Sequence, residues 1–430
     1  MSKFDPKISN ISKENNLLTF ELSGSKTYGL DKSFVNFIRR SLLTDIPTVA
    51  FRFDQQNLIK DINVIENTGS LHNEMLIQRV SLIPLYINPE NYKNHYLFEL
   101  KVKQDNSELF KFVTSEDFNI YPLKSDIKKR VDNYEDDLNK SELDEILDSK
   151  NYENYDFKNP LSKKNKESIF RPFVFRESKN YCLITELKNT NTENLSQGLN
   201  LYGIPSISTG VENANFQSVS QVLYTFLKDE DLIESLWKER VNVDKIDQDK
   251  QESMKKKFIL SESERYYHRD INNEPYKYEF KIESSHYFNS EQLFIKVIEI
   301  IIDKIDYLKL SFLYLLQEKE TCVSVTKIND IIFHFIINNH GHSIGNLLQS
   351  HIVKKCIDDD SLLQLCGYKK MHPLEESIKL IITLNPSHKI MKDTDKNKYQ
   401  KIVTFLMEEL DTLKNQFKIL LKESEKSFNL

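Results

Sequence analysis

The chain has 430 residues, 59 Lys and Arg against 65 Asp and Glu, a formal net charge of −6 and no long basic block. That balance argues against a free-standing nucleic-acid binder, whose affinity rests largely on a concentrated basic face. A hydrophobic fraction of 39% with 26 Phe and 20 Tyr excludes wholesale disorder and suffices for two or three separate cores.

In chain order, Leu17 to Leu22 reads as a strand and Asp31 to Leu43 as an amphipathic helix with Phe34, Phe37, Ile38, Leu42 and Leu43 on its apolar stripe. Asp45-Ile46-Pro47 ends that helix, because the residue before a proline avoids the helical region. Strands are expected at Val49 to Phe53, Tyr96 to Val102, Glu108 to Thr114 and Tyr181 to Leu187, with a short helix at Asn73 to Val80. Residues 132–148 hold eight acids against one lysine, so 124–168 reads as an exposed insertion, partly helical around Glu142 to Leu147 and otherwise mobile. Lys228 to Ser261 reads as a surface helix with loops. Tyr276 to Ile282 alternates as a strand, and Ser290 to Leu316 forms a long amphipathic helix. A strand at 331–337, a helix at 343–354, a strand near Ile378 to Leu384 and a final helix at 397–422 follow. Phe405, Leu410, Leu413 and Phe417 lie on the core face of that last helix.

Two of these segments repeat one pattern. DKSFVNFIRRSLL (Asp31 to Leu43) and GHSIGNLLQSHIV (Gly341 to Val353) align so that Ser33 matches Ser343, Asn36 matches Asn346, and Phe37-Ile38 match Leu347-Leu348. Each follows an apolar strand, and each half ends in a long amphipathic helix. The expected fold is α+β: two related strand–helix dimerisation halves paired in one chain, with an inserted, mainly β domain in the first half. The boundaries read as 1–48 and 275–318 for the first half, 49–274 for the inserted domain and 319–430 for the second half. Ser343 is expected to cap its helix, Gly345 to let another helix approach closely, and Asn36 and Asn346 to bond backbone near the seam.

Chemistry-bearing motifs are sparse. Cys182, Cys322, Cys356 and Cys366 form no Cys-x-x-Cys pair, which fits a reducing compartment and speaks against a zinc ribbon or disulfide framework. His340 and His342 lack a third ligand nearby. The nine glycines form no phosphate-binding loop. Val297 to Leu316 carries Glu299, Asp303, Lys304, Asp306 and Lys309, too many charges for a membrane span, and the first ten residues hold no apolar leader core. A stand-alone metal-dependent hydrolase is the rival reading; it finds neither a ligand set nor a triad.

NFIRRSLLTDIPTVAF (Asn36 to Phe51) and ENTGSLHNEMLIQRVSLIPL (Glu66 to Leu85) resemble the signature of the α-like subunits of multisubunit RNA polymerases: bacterial α, archaeal D and the eukaryotic third subunit. HSIGNLLQSHI (His342 to Ile352) with GYKKMHPLEESIKLIIT (Gly367 to Thr383) resembles their small partner, archaeal L or the eukaryotic eleventh subunit. The resemblance implies a non-catalytic assembly platform in transcription, without a cofactor or bound metal, that docks the second-largest and then the largest polymerase subunit. Other small subunits are implied as neighbours, DNA only through the complex, and no membrane. Arg39 and Arg40 become candidates for docking a large subunit through their planar forks, against the alternative of two solvated arginines. Gln349 and Ser350 hold the matching positions in the second half. The implied dimerisation residues are Phe34, Asn36, Phe37, Ile38, Ser343, Gly345, Asn346, Leu347, Leu348, Phe405, Leu410, Leu413 and Phe417. A fused pair is similar to the polymerases of large cytoplasmic DNA viruses, which implies the host cytoplasm and the virion; a cellular source would imply the nucleus or cytoplasm. Two departures stand out. Tyr86 to Phe98 lacks the cysteine-rich zinc loop of many eukaryotic relatives, and Leu71-His72-Asn73-Glu74 replaces a Leu-x-Asp-Glu pattern.

Overall fold

A computed structural model describes residues 4–26, 30–54, 59–105, 109–132, 152–189, 196–244, 248–356 and 361–429. The chain divides into two compact units. One comprises Met1–Leu42, Gln221–Glu283 and Ser290–Leu430; the other comprises Leu43–Ser220 and Ser284–Asn289.

The first unit holds two four-stranded antiparallel sheets. One contains β1 (Lys7–Glu14), β2 (Leu17–Ser23), β3 (Val219–Phe226) and β4 (Lys277–Ser284), in the order β1-β2-β4-β3. Helix α1 (Lys32–Thr44) leaves β2, α2 (Glu230–Asp244) and α3 (Gln248–Glu262) lie between β3 and β4, and α4 (Ser290–Leu316) follows β4. The other sheet contains β5 (Val323–Lys327), β6 (Ile332–Asn338), β7 (Leu363–Lys370) and β8 (Ser377–Leu384), in the order β5-β6-β8-β7. Helix α5 (His342–Val353) leaves β6, and α6 (Asp395–Phe428) follows β8. Strand order is thus the same in both, as are the positions of α1 and α5 and of α4 and α6; α2 and α3 have no counterpart.

The inner strands form because their apolar residues fall at every second position. Leu18, Phe20 and Leu22 on β2 are fully buried, as are Tyr278, Phe280 and Ile282 on β4. Phe20 pairs with Phe280 across the ladder, their rings stacked at 5.4 Å. Phe335 and Ile337 on β6 and Leu380 and Ile382 on β8 repeat the pattern. The left-handed turn positions go largely to asparagine, whose short side chain tolerates φ > 0: Asn15 (φ 55) turns β1 into β2, and Asn339 (φ 61) precedes α5. Glu318 (φ 56) ends α4, and the Thr321 hydroxyl donates to the Ser311 carbonyl at 3.0 Å, tying the short link to β5 back onto the helix. Among the described residues, no helix is long and apolar enough to cross a membrane.

The second unit is built on an antiparallel sheet in the order Ile62–Asn67, Gly198–Gly203, Tyr96–Lys103, Phe118–Pro122. Alternation divides its strands between two faces. Phe98 and Leu100 pack with Phe118, Phe170, Ile184 and helix Asn73–Ser81. Leu97 points the other way, into a cluster with Tyr121, Leu123, Val131, Tyr155 and Ile204. Beside it the buried Glu99 carboxylate accepts hydroxyl bonds from Tyr121 and Tyr202, both at 2.6 Å.

Two sequence expectations change here. The inserted unit closes at 220 rather than 274, because Gln221 onward continues β3 and belongs with the first sheet. The segment 124–168 is also not simply an exposed insertion. Val131 and Tyr155 are buried, the Tyr155 hydroxyl donates to the Asn94 carbonyl at 2.8 Å, and the Leu161 amide donates to Ile120. The acidic run lies, from 133 on, outside the described residues.

Candidate assembly site

Helices α4 and α6 pack along each other within the first unit. Shifted by 105 positions (Ser290 to Asp395), their buried faces coincide: Val297, Ile298, Ile301, Ile305, Leu308 and Phe312 match Ile402, Val403, Leu406, Leu410, Leu413 and Phe417. In this register Asp306-Tyr307-Leu308-Lys309 lies over Asp411-Thr412-Leu413-Lys414. The Lys309 ammonium binds both Asp411 oxygens at 2.7 Å, and that of Lys414 binds Asp306 at 2.5 and 2.6 Å. Because the lower-numbered residue of each helix meets the higher-numbered residue of the other, the two run in opposite directions at this crossing. The pairs are partly exposed, so each contributes on the order of 0.2–1 kcal/mol and fixes register more than stability.

Aromatic rings close both ends of the crossing. Phe428, near the end of α6, meets Phe20 on β2 at 5.6 Å and Phe294 on α4 at 6.0 Å. Phe312, near the end of α4, meets Phe335 on β6 at 6.0 Å. Each long helix therefore reaches the sheet that the other helix leaves. Helix α1 adds its apolar face: Phe34 stacks on Phe417 at 4.0 Å and Phe37 meets the same ring at 6.3 Å. Such pairs contribute about 0.5–1.5 kcal/mol beyond burial.

Asp31 forms a polar link at the start of α1. It accepts from the Ser33 amide at 2.8 Å and, across to α5, from the Ser350 hydroxyl at 2.8 Å and the Lys354 ammonium at 2.9 Å. Burial alone would raise its carboxyl, but the charge and hydrogen bond of Lys354, with the two other donors, hold it below the ordinary carboxylate value. Between α5 and α6, His351 Nε2 lies 2.8 Å from Glu409 Oε2, both nearly buried.

The residues singled out from sequence fall into distinct environments. Phe34, Phe37, Ile38, Leu347, Leu348, Leu410, Leu413 and Phe417 are buried. Phe405 is only half-buried. Asn36 does not bond backbone at the seam; its Oδ1 accepts from Arg39 Nε on the same helix at 3.0 Å, and Asn346 is exposed. Ser343 is not the cap either, since the helix begins at His342 with Gly341 at the capping position. At Gly345 the close neighbour is not a helix but the Tyr368 ring on β7, which an added Cβ would meet at 2.5 Å. Arg39 is half-exposed and Arg40 exposed on α1. Gln349, by contrast, accepts from the Tyr368 amide at 3.1 Å. His342 lies 3.4 Å from the Tyr368 hydroxyl. His340 is largely buried beside Lys304; burial, then that charge, lower its pKa. Among the described residues no group of three or more His, Cys, Asp and Glu gathers as metal ligands.

Sequence reasoning missed Asp31 and the reciprocal Asp–Lys crossings. The duplicated Asp-x-x-Lys, at the same position of two helices of like periodicity, was the available signal.

Residues 27–305 match the family described as the RNA polymerase Rpb3/Rpb11 dimerisation domain. The chain belongs to this family. The Rpb3/Rpb11 match takes in α1, the second unit and α4 up to Ile305, one residue before the first Asp–Lys crossing. A Dictyostelium discoideum protein named DNA-directed RNA polymerases I and III subunit rpac1 is 30% identical over 108 residues, 23% of this chain and 28% of the relative. DNA-directed RNA polymerase subunit Rpo3 of Methanosphaera stadtmanae is 36% identical over 64 residues, 15% of this chain and 21% of the relative. Rpo3 of Methanosarcina mazei is 37% identical over 60 residues, 14% and 20% of the two chains. The chain thus spans between a fifth and under a third of the length of these curated relatives.

Proposed function

We propose that this chain is a non-catalytic assembly subunit of a DNA-directed RNA polymerase, carrying both partners of an α-like dimer in one polypeptide. The first half comprises the sheet β1–β4 with α1 and α4, and carries the second unit as an inserted β-rich domain. The second half comprises the sheet β5–β8 with α5 and α6. The observation that carries this reading is the reciprocal crossing of α4 and α6 between two sheets of one strand order. Family membership and relatives that are polymerase subunits by name give it direction. In this reading α1 docks the second-largest subunit through Arg39 and Arg40, and the largest subunit joins the resulting platform with other small subunits. The order of the two halves in one chain also supports a place among the polymerases of large cytoplasmic DNA viruses, acting in the host cytoplasm.

Co-expression with the two large subunits of the same source tests the proposal. Affinity purification on this chain should yield a complex of several subunits that synthesises RNA, while the chain alone synthesises none. A chain that purifies alone beside both large subunits would overturn it.

A further inference from the structure

The outer faces of α4 and α6 differ although their buried faces coincide. On α4, Tyr307, Leu310, Leu313 and Tyr314 are 57%, 47%, 37% and 41% exposed. Tyr307, Leu310 and Tyr314 follow the i, i+3, i+7 spacing that aligns residues on one side of a helix. The same positions of α6 are Thr412, Asn415 and Ile419, with Lys418 matching Leu313. Since α6 packs with polar residues at most of these positions, the apolar stripe of α4 is not required by the crossing. Further along the same side stand Glu299 and Asp303, both exposed, two like charges one turn apart.

We infer that this stripe is a docking site for an amphipathic helix of another polymerase subunit, with apolar residues at helical spacing and Lys or Arg placed to meet Glu299 and Asp303. The inference rests on the assembly reading and adds a surface to it. Four side chains of this size cover on the order of 300–600 Å². A free-standing dimer buries at least about 600 Å² on each partner, the upper end of what this stripe offers. The stripe therefore suits a helix whose subunit is held elsewhere in the complex better than it suits a second copy of this chain. Asp303 lies about 10 Å along the helix axis from Leu310, so the basic residues of the partner should fall about two helical turns beyond its apolar contact.

The test uses the assembled complex with a photo-crosslinking benzoyl-phenylalanine replacing Leu310, and in parallel Asn415 on α6. Position 310 should give one adduct, mapping to a helix of another subunit with the stated pattern, and position 415 should give none. The variant Tyr307→Thr/Leu310→Asn/Leu313→Lys should leave the melting temperature of the chain unchanged. It should weaken retention of the crosslinked subunit at least about ten-fold, the equivalent of ~1.4 kcal/mol. Assembly without an adduct at 310, equal adducts at 310 and 415, or an adduct to a second copy of this chain would overturn the inference alone. Failure of the complex to assemble would overturn the assembly reading and this inference with it.

Discussion

The two four-stranded sheets share one plan but are loaded differently. In the first, residues 45–218 separate α1 from β3, and two further helices separate β3 from β4; in the second, residues 354–362 separate α5 from β7. The long helices keep one register through this difference. The crossing uses α1, α4, α5 and α6 and none of the strands of the second unit. Charge is asymmetric too. On α1, Arg39 is half-exposed and Arg40 exposed, whereas Gln349 and Ser350, at the matching positions of α5, are held by Tyr368 and Asp31. The sheet with the additions thus has arginines on its α1, while the equivalent positions of α5 carry uncharged side chains that bond Tyr368 on β7 and Asp31 before α1.

The largest expected effect comes from the rings at the crossing. Phe417→Ala and Phe312→Ala each remove a fully or nearly fully buried ring, costing about 3–5 kcal/mol. If the halves form one cooperative unit, both substitutions displace the same urea transition. Two transitions, each moved by only one substitution, would mean that the halves fold separately. Phe405→Ala should cost far less, because that ring is half-exposed.

A smaller effect tests the reciprocity. Asp306→Lys sets like charges against Lys414 and should cost about 1 kcal/mol, and adding Lys414→Asp should restore most of it. Equal losses in the single and double variants would remove the ion pairs from the account.

Smaller again is the contribution of Asp31. Its lowered native pKa means that the carboxylate stabilises the fold above pH about 4, its unfolded value, and that this contribution is lost as pH falls further through the native value. Asp31→Asn should therefore cost about 0.5–1 kcal/mol at pH 7, a range set by the solvent-exposed Lys354. The gap from wild type should close in strongly acidic buffer. A gap that persists there would assign Asp31 a role other than its charge. The smallest effect is expected from chelation: elemental analysis should find less than one zinc per chain, and EDTA should leave the melting temperature in place. One tightly held zinc would return attention to His340 and His342.

Legibility followed the physics of burial. The four inner strands β2, β4, β6 and β8 could be read from alternation, since both neighbours and a covered face force it. The edge strands β1, β3, β5 and β7 could not. On β1, for example, only Ile8 of Lys7–Glu14 is buried, and a strand with so little burial leaves no periodic signature. Helix α4 was readable for the opposite reason: twenty-seven positions with one continuous apolar face. Of the candidate site, the apolar residues were legible and the polar ones were not. Asn36 and Asn346 matched in sequence, yet one bonds within its own helix and the other faces outward. Asp31 could not be paired with Ser350 and Lys354 from sequence, because the partners lie more than 300 positions away.

In the proposed function α1 is the docking helix for a large polymerase subunit. Arg39→Glu/Arg40→Glu should leave the isolated chain folded and its melting temperature within a few degrees of wild type, since neither side chain is buried and losing the Arg39–Asn36 bond within α1 costs about 1 kcal/mol. Reversing both charges should nonetheless abolish capture of the second-largest polymerase subunit, because losing an interfacial charge pair costs about 2–5 kcal/mol and like charges then add repulsion. Capture at wild-type level by the folded variant would contradict the account.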